Sequence, residues 1–132
     1  METFPLLRRL ASEYRANTFS EVVLKGPETG LETLSQANAV ALFHICQEAL
    51  ANAAKHAAAE RVDVNVWLTA DRVVMEVRDT GKGFAVEKMA TTIGHGLSNM
   101  QTRARAVGGD VDISSAPGEG TTVFAWVPNI SR

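Results

Sequence analysis

The longest regular pattern in this sequence is a helical one that covers about residues 35–58, with Ser35 as its predicted N-cap. The apolar residues recur at helical spacing and form one stripe, which must be buried against a second layer of structure. The stripe consists of Leu42, Ile45, Cys46, Ala49 and Ala53. Cys46 is the only cysteine of the chain, and its apolar surroundings predict a small core residue rather than a reactive thiol.

Alternating apolar residues predict that the second layer is a β-sheet. Two strands follow the long helix, at residues 62–68 and 73–77, and a final hairpin joins residues 111–113 to residues 123–127. The other predicted elements are helices at 4–14 and 97–106, an extended run at 18–25 and a glycine-punctuated loop at 79–96. This order predicts an α+β fold, in which helices pack on one face of a mixed, mostly antiparallel sheet.

The length and composition fit one domain, because 132 residues with 45% hydrophobic and 21% charged residues are ordinary for a globular chain. A formal net charge of -2 gives no electrostatic reason to expect nucleic acid or an anionic membrane as a partner. No stretch approaches the ~20 apolar residues of a membrane span, and the N-terminus lacks a signal-peptide pattern. The single cysteine suits a reducing cytoplasm, and the histidines show no zinc-ligand spacing.

The long helix also has a polar face. Four polar residues recur at i, i+4, i+7 and i+8, roughly 100° around the helix from the apolar stripe. They are Glu48, Asn52, Lys55 and His56. The oxygens of Glu and Asn suit Mg²⁺, and a lysine one turn further along can reach a phosphate. The alternative is a solvated helix face, which is what such polar stripes usually are.

A first glycine motif, Asp-Thr-Gly-Lys-Gly-Phe at residues 79–84, follows the second strand. Its glycines permit backbone conformations and close approaches that a Cβ would block. Asp79 shares strand parity with the apolar residues Val73, Met75 and Val77, so we expect it to point into the interior. A carboxylate aimed inward needs a donor partner, and the exocyclic amine of adenine is one candidate. The alternative is a plain Asp-Thr-Gly turn.

Two further motifs are shorter. Gly-His-Gly-Leu at residues 94–97 opens a helix, where glycine amides can bind an anion. The alternative there is an ordinary glycine-rich loop, with His95 as an exposed loop residue. The segment 117–122 is predicted to be a hairpin turn, in which Thr121 has a hydroxyl available to a ligand.

These four motifs, in this order, resemble those of the catalytic and ATP-binding domain of histidine kinases, within the GHKL ATPase superfamily. Residues 48–56 are similar to its N box, 79–84 and 94–97 to its two glycine boxes, and 120–122 to its terminal Gly-Thr motif. The resemblance runs from about residue 4 to residue 129. It is strongest to the NarL-partnered sensor kinases, in the phrases QEALANAAKHA and GLSNMQTRARAVGGDVDISSAPGEGTTV. It implies a two-layer Bergerat-type ATPase sandwich.

The resemblance implies a role for each polar residue of the long helix. Asn52 would hold a Mg²⁺ ion that bridges the phosphates of ATP. Glu48 would orient a magnesium-bound water or assist proton transfer. Lys55 and His56 would lie near the phosphates.

The resemblance also implies roles for the glycine motifs. Asp79 would accept the adenine amine, with Thr121 beside it, while Gly81 and Gly83 would shape the nucleotide pocket. The expected nucleotide-binding residues of the second box are Gly94, His95, Gly96 and Leu97. The glycines of this box would hinge a lid at residues 84–95 and let its backbone approach the phosphates.

The function that the resemblance implies is transfer of the ATP γ-phosphate to a histidine on a separate dimerising helical domain. A response regulator would receive the phosphoryl group from that domain. Residues 1–132 leave no room for such a domain, so we expect one cytoplasmic domain of a longer kinase, whether or not that kinase is anchored in a membrane. We expect this domain to be unable to phosphorylate itself alone. The domain itself is expected to contact neither membrane nor nucleic acid.

Two alternatives remain open at this point. One is an anti-sigma-factor serine kinase of the same fold, although Lys55, His56 and the second glycine box fit a sensor kinase better. The other is an interaction module that no longer binds ATP, against which the intact Glu48, Asn52 and Asp79 argue.

Overall fold

The structure is a computed structural model that describes residues 3–18, 21–27, 34–53, 61–80, 96–115 and 118–129. This part of the chain contains three helices and five strands. The helices are α1 (Thr3–Thr18), α2 (Gln36–Asn52) and α3 (Gly96–Ala106). The strands are β1 (Glu21–Lys25), β2 (Arg61–Leu68), β3 (Arg72–Asp79), β4 (Asp110–Ser115) and β5 (Thr121–Pro128). Their order along the chain is the predicted one.

The five strands form one sheet in the order β1-β2-β3-β5-β4. Strand β1 runs parallel to β2, whereas the other neighbouring pairs are antiparallel. A tight turn joins β2 to β3, closed by a hydrogen bond of 2.9 Å from the amide of Thr69 to the carbonyl of Arg72. The predicted mixed, mostly antiparallel sheet is therefore confirmed.

The core lies between one face of this sheet and the three helices. Alternate strand residues meet across the sheet on that face, as in the pairs Val64 with Val77 and Met75 with Ala125. The five residues of the predicted α2 stripe are all buried, with exposures of 4% or less. Full burial of a side chain such as Leu42 stabilises the fold by about 1.5–3 kcal/mol. Because α2 packs against β3 and β5, α1 against β1, and α3 against β4, the predicted two-layer α+β fold is confirmed.

Cys46 lies within this core and is 2% exposed. Burial raises the pKa of the Cys46 thiol from 9.0 to about 12, because the thiolate would lose its hydration. The thiol is therefore protonated at neutral pH, which confirms the predicted core role.

Helix α2 has a fixed start and a fixed direction. The Ser35 hydroxyl accepts a hydrogen bond of 3.2 Å from the amide of Asn38, so the predicted N-cap is confirmed. The Asn38 side chain in turn donates to the carbonyl of Pro128 at 2.7 Å, which ties the start of α2 to the end of β5. A 17-residue helix and an eight-residue strand both span about 25 Å. Because α2 also packs against β5 and β3, we infer that its far end, with Asn52, lies towards the end of the sheet where β5 begins and β3 ends.

Two predicted boundaries differ from the structure by three residues or more. Helix α1 continues to Thr18, so the strand predicted from residue 18 begins only at Glu21. The apolar stripe that predicted the helix ends near Tyr14, but residues 15–18 contain no glycine or proline that would stop it. Residues 54–58 of the predicted long helix, and the predicted loop between Thr80 and Gly96, lie outside the described residues. None of the helices in the described residues is both long and apolar enough to cross a bilayer.

Candidate functional site

Asp79 is a buried carboxylate at the last position of β3. It is 7% exposed and is the only buried polar or charged residue among those that the structure describes. It pairs with Val62 on one side and with Thr121 on the other, so it shares the sheet face that the helices cover. The prediction that Asp79 points inward is therefore confirmed. A carboxylate in that position is stable only when donors reach it.

Thr121 supplies one such donor. Its backbone amide donates a hydrogen bond of 3.2 Å to Oδ1 of Asp79. An ionised carboxylate has about four acceptor positions, so Asp79 can bind this amide and a donor on a ligand at the same time. The two residues are adjacent in the β3–β5 register, as expected if both contact one ligand group.

Ser115 extends the same row onto β4 and was not predicted as a site residue. It pairs with Thr121 in the β4–β5 register, and the two hydroxyl oxygens are 2.9 Å apart. The Ser115 hydroxyl also lies 3.1 Å from the carbonyl oxygen of Gly120. Strand parity with Val111 and Ile113 could have identified Ser115 as inward-facing. Asp79, Thr121 and Ser115 thus form a polar row on an otherwise apolar sheet face, which we call the polar row.

Glu48 and Asn52 are both half-buried on α2, so neither is the fully solvated residue of the alternative interpretation. Asn52 is the last residue of the helix, at the end that lies towards the polar row. Glu48 faces α3 and lines a small cavity of about 70 Å³. The cavity is otherwise lined by His44, Gln47, Asn99, Met100 and Arg103. One carboxylate and one amide oxygen, a helical turn apart, match the oxygen ligands that Mg²⁺ prefers.

The remaining predicted site residues fall into two groups. Gly96 and Leu97 form the start of α3, which agrees with their predicted place at a helix N-terminus. Six others lie outside the described residues and stay predictions: Lys55, His56, Gly81, Gly83, Gly94 and His95. The structure thus brings Asp79 and Thr121 together.

Gly120 holds β5 against the end of β3. Its φ of +78° lies in the left-handed region, and a Cβ built on it would overlap the carbonyl oxygen of Asp79. Gly118 has a similar φ of +80°, but a Cβ there would meet nothing within 4 Å. The two glycines therefore share one backbone constraint, and only Gly120 adds a steric one.

We expect Gly120→Ala to lower the free energy of unfolding by about 1–3 kcal/mol more than Gly118→Ala does, because only the first overpacks its surroundings. Both variants also bear the cost of a left-handed residue, about 1–2 kcal/mol. Urea unfolding of the two variants and the wild type gives the comparison. Equal losses in the two variants would show that β5 can move away from Asp79 at no cost.

Comparison with known proteins agrees with this arrangement. The sequence profile of the family described as histidine kinase-, DNA gyrase B- and HSP90-like ATPase matches residues 37–130. This range includes α2 from its second residue, the polar row and α3. It therefore covers each described residue that the sequence predicted for the site.

Several sensor kinases of Bacillus subtilis strain 168 are similar to this chain. The signal transduction histidine-protein kinase/phosphatase DegS is 37% identical over 103 residues, which cover 76% of this chain and 27% of DegS. The sensor histidine kinase LiaS is 36% identical over 87 residues, or 66% of this chain and 24% of LiaS. The sensor histidine kinase YdfH is 40% identical over 88 residues, or 65% of this chain and 22% of YdfH.

The chain spans about a quarter of the length of these relatives. The matched part is the one that holds the polar row, with its buried carboxylate, and the end of α2 that carries the Asn52 amide. On the extent of the profile match, the chain belongs to the histidine kinase-, DNA gyrase B- and HSP90-like ATPase family.

Proposed function

We propose that this chain is the catalytic, ATP-binding domain of a two-component sensor histidine kinase. It binds Mg-ATP and donates the γ-phosphate to a histidine on a separate, dimerising helical domain. The observation that carries the proposal is the buried Asp79, which pairs with Thr121 at one end of the sheet in a chain of this ATPase family. Three similar proteins are sensor or signal transduction histidine kinases, which supports the kinase over other members of the family.

The base of the nucleotide binds at the polar row. The carboxylate of Asp79 accepts a hydrogen bond from the exocyclic amine of adenine, and Thr121 lies beside it. Guanine has a carbonyl oxygen where adenine has the amine, so two acceptors would face each other without a proton. Such an unpaired contact costs about 1–3 kcal/mol, which selects adenine over guanine.

The phosphates bind towards the C-terminal end of α2. Asn52 holds Mg²⁺ through its amide oxygen, and Glu48 orients a water or accepts a proton one turn earlier in the helix. A Mg²⁺ ion held there would supply charge neutralisation at the phosphates, which is most of what phosphoryl transfer needs besides positioning. Lys55 and His56 lie near the phosphates. Gly81 and Gly83 shape the pocket.

The second glycine box closes the site. Gly94 and Gly96 hinge a lid at residues 84–95, and with His95 and Leu97 they bring backbone amides to the phosphates at the start of α3. The amides at a helix N-terminus favour an anion, which supports this placement.

The phosphoryl acceptor lies on another part of a longer kinase. The similar kinases are about four times as long as the matched segment, which leaves ample length for a helical domain with the acceptor histidine. A response regulator of the NarL type then takes the phosphoryl group from that histidine. The domain described here works in the cytoplasm, whether or not the full-length kinase is anchored in a membrane.

We expect the isolated chain to bind Mg-ATP and to acquire no stable label from radiolabelled ATP. Without a positioned nucleophile the reaction loses the proximity contribution, which reaches about 7–11 kcal/mol in well-oriented systems. Adding the helical domain of the full-length kinase, in cis or in trans, should produce a label on a histidine of that domain. The label should be lost in acid and survive alkali, as expected of a phosphoramidate.

Three outcomes of this experiment would contradict the proposal. Stable labelling of the isolated chain would place an acceptor within these 132 residues. An acid-stable phosphoserine on a partner protein would instead identify an anti-sigma-factor kinase of the same fold. A chain that binds no nucleotide at all would be an interaction module.

A further inference from the structure

The proton directions within the polar row follow from its hydrogen-bond partners. The Ser115 hydroxyl has one proton and lies 3.1 Å from the Gly120 carbonyl oxygen, which can only accept. With that proton donated to Gly120, Ser115 can only accept from the Thr121 hydroxyl, 2.9 Å away. The proton of the Thr121 hydroxyl is therefore directed along the sheet towards β4, and away from β3.

Both donors of Thr121 are thereby committed within the protein. Its amide donates to Asp79. Because Ser115 donates its own proton to Gly120, the Thr121 hydroxyl is the donor in its contact with Ser115. What the Thr121 oxygen can still offer a ligand is a lone pair, and the neighbouring carboxylate of Asp79 offers the same. The row thus presents two acceptors side by side.

We propose that Ser115 is a positioning residue that determines specificity. By accepting the hydrogen bond from the Thr121 hydroxyl, it makes the polar row select a ligand group that donates two hydrogen bonds. A primary amine attached to a flat ring is such a group, because its two protons diverge in one plane. A ring carbonyl at the same place would meet only acceptors. This inference rests on the proposed adenine site and adds a residue from β4 to it.

This role and a purely structural role of Ser115 predict different effects when its hydroxyl is removed. Without the Ser115 hydroxyl, the Thr121 hydroxyl is released to rotate and can donate to a carbonyl on the ligand. A ligand with a carbonyl in place of the amine should then be rejected less strongly. Loss of a turn contact alone would instead weaken all nucleotides by the same factor.

The test compares ADP with inosine diphosphate, which carries a carbonyl at the position of the adenine amine. Titration calorimetry on the wild type, Ser115→Ala and Ser115→Thr gives the ratio of the two dissociation constants. One hydrogen bond of ordinary strength predicts that Ser115→Ala reduces the preference for ADP by about three- to tenfold. Ser115→Thr keeps a hydroxyl and should restore the wild-type ratio.

Ser114→Ala is the matched control. Ser114 precedes Ser115 on β4, is exposed and lies on the opposite face of the sheet, so its loss should leave the ratio unchanged. Ser115→Cys serves if the alanine variant does not fold, since a thiol is close in size but a weak hydrogen-bonding group. Ser115→Cys should reduce the preference for ADP over inosine diphosphate as the alanine variant does.

The outcomes test the adenine site and the role of Ser115 separately. A wild type that binds ADP and inosine diphosphate equally, or binds neither, overturns the adenine site itself and this inference with it. A wild type that prefers ADP, with the same preference in Ser115→Ala and Ser115→Cys, overturns only the role of Ser115.

Discussion

Replacing Asp79 by asparagine should abolish most adenine-nucleotide binding while leaving the fold in place. The amide oxygen of asparagine can still accept the hydrogen bond from the Thr121 amide, and the side-chain volume hardly changes. The ligand amine, however, loses a charged acceptor. Hydrogen bonds to charged groups contribute about 1.5–3 kcal/mol, so we expect ADP to bind about 10- to 150-fold more weakly.

Asp112→Asn is the control for the loss of one negative charge. Asp112 lies on β4 but is exposed, on the sheet face away from the polar row. Calorimetric titration with ADP and GDP measures both variants, and thermal unfolding verifies that each is folded. Wild-type ADP affinity in Asp79→Asn, or equal wild-type affinities for ADP and GDP, would contradict the assignment of Asp79 to the base.

Strand parity explains why the position of Asp79 was predictable from sequence. In a strand, every second side chain points to the same face, so the buried Val73, Met75 and Val77 fix the direction of Asp79 two residues later. The same reasoning applies to the stripe of α2, whose helical spacing identified five core residues. Local periodicity is therefore enough to place a side chain on a face.

Contacts between segments far apart in the sequence could not be predicted from local periodicity. The bond from Asn38 to Pro128 joins residues 90 positions apart and fixes where α2 begins on the sheet. The close approach of Gly120 to Asp79 likewise depends on the register between β3 and β5. The sequence shows a glycine at position 120, but it does not show that the Asp79 carbonyl lies against that glycine.

The position of Ser115 was predictable only in part. Its parity with Val111 and Ile113 indicates an inward side chain, and nothing in the sequence separates it from a hydroxyl that merely closes a hairpin. Its place in one row with Thr121 and Asp79 requires β5 to lie between β3 and β4, an order that differs from the order along the chain. The polar row is a product of sheet topology, and three separate segments contribute to it.

Asn52→Ala should leave nucleotide recognition intact and slow phosphoryl transfer strongly. Asn52 ends α2 and is half-buried, and the proposal assigns it to the metal rather than to the base, so ADP without metal should bind as it does to the wild type. A bound metal contributes several kcal/mol to stabilising the charge that develops during transfer. Loss of its ligand should therefore slow histidine phosphorylation by the full-length kinase on the order of 100-fold.

The control is Asn65→Ala, which removes the same amide from the outer face of β2, opposite the helices. Autophosphorylation is followed with radiolabelled ATP across a magnesium titration, because a weakened metal site should shift the midpoint to higher magnesium as well as lower the rate. A rate that falls with an unchanged magnesium midpoint would assign Asn52 to the phosphates rather than to the ion. Normal activity in Asn52→Ala would contradict the assignment. Asn52 would then be only the last residue of α2, with no role in the reaction.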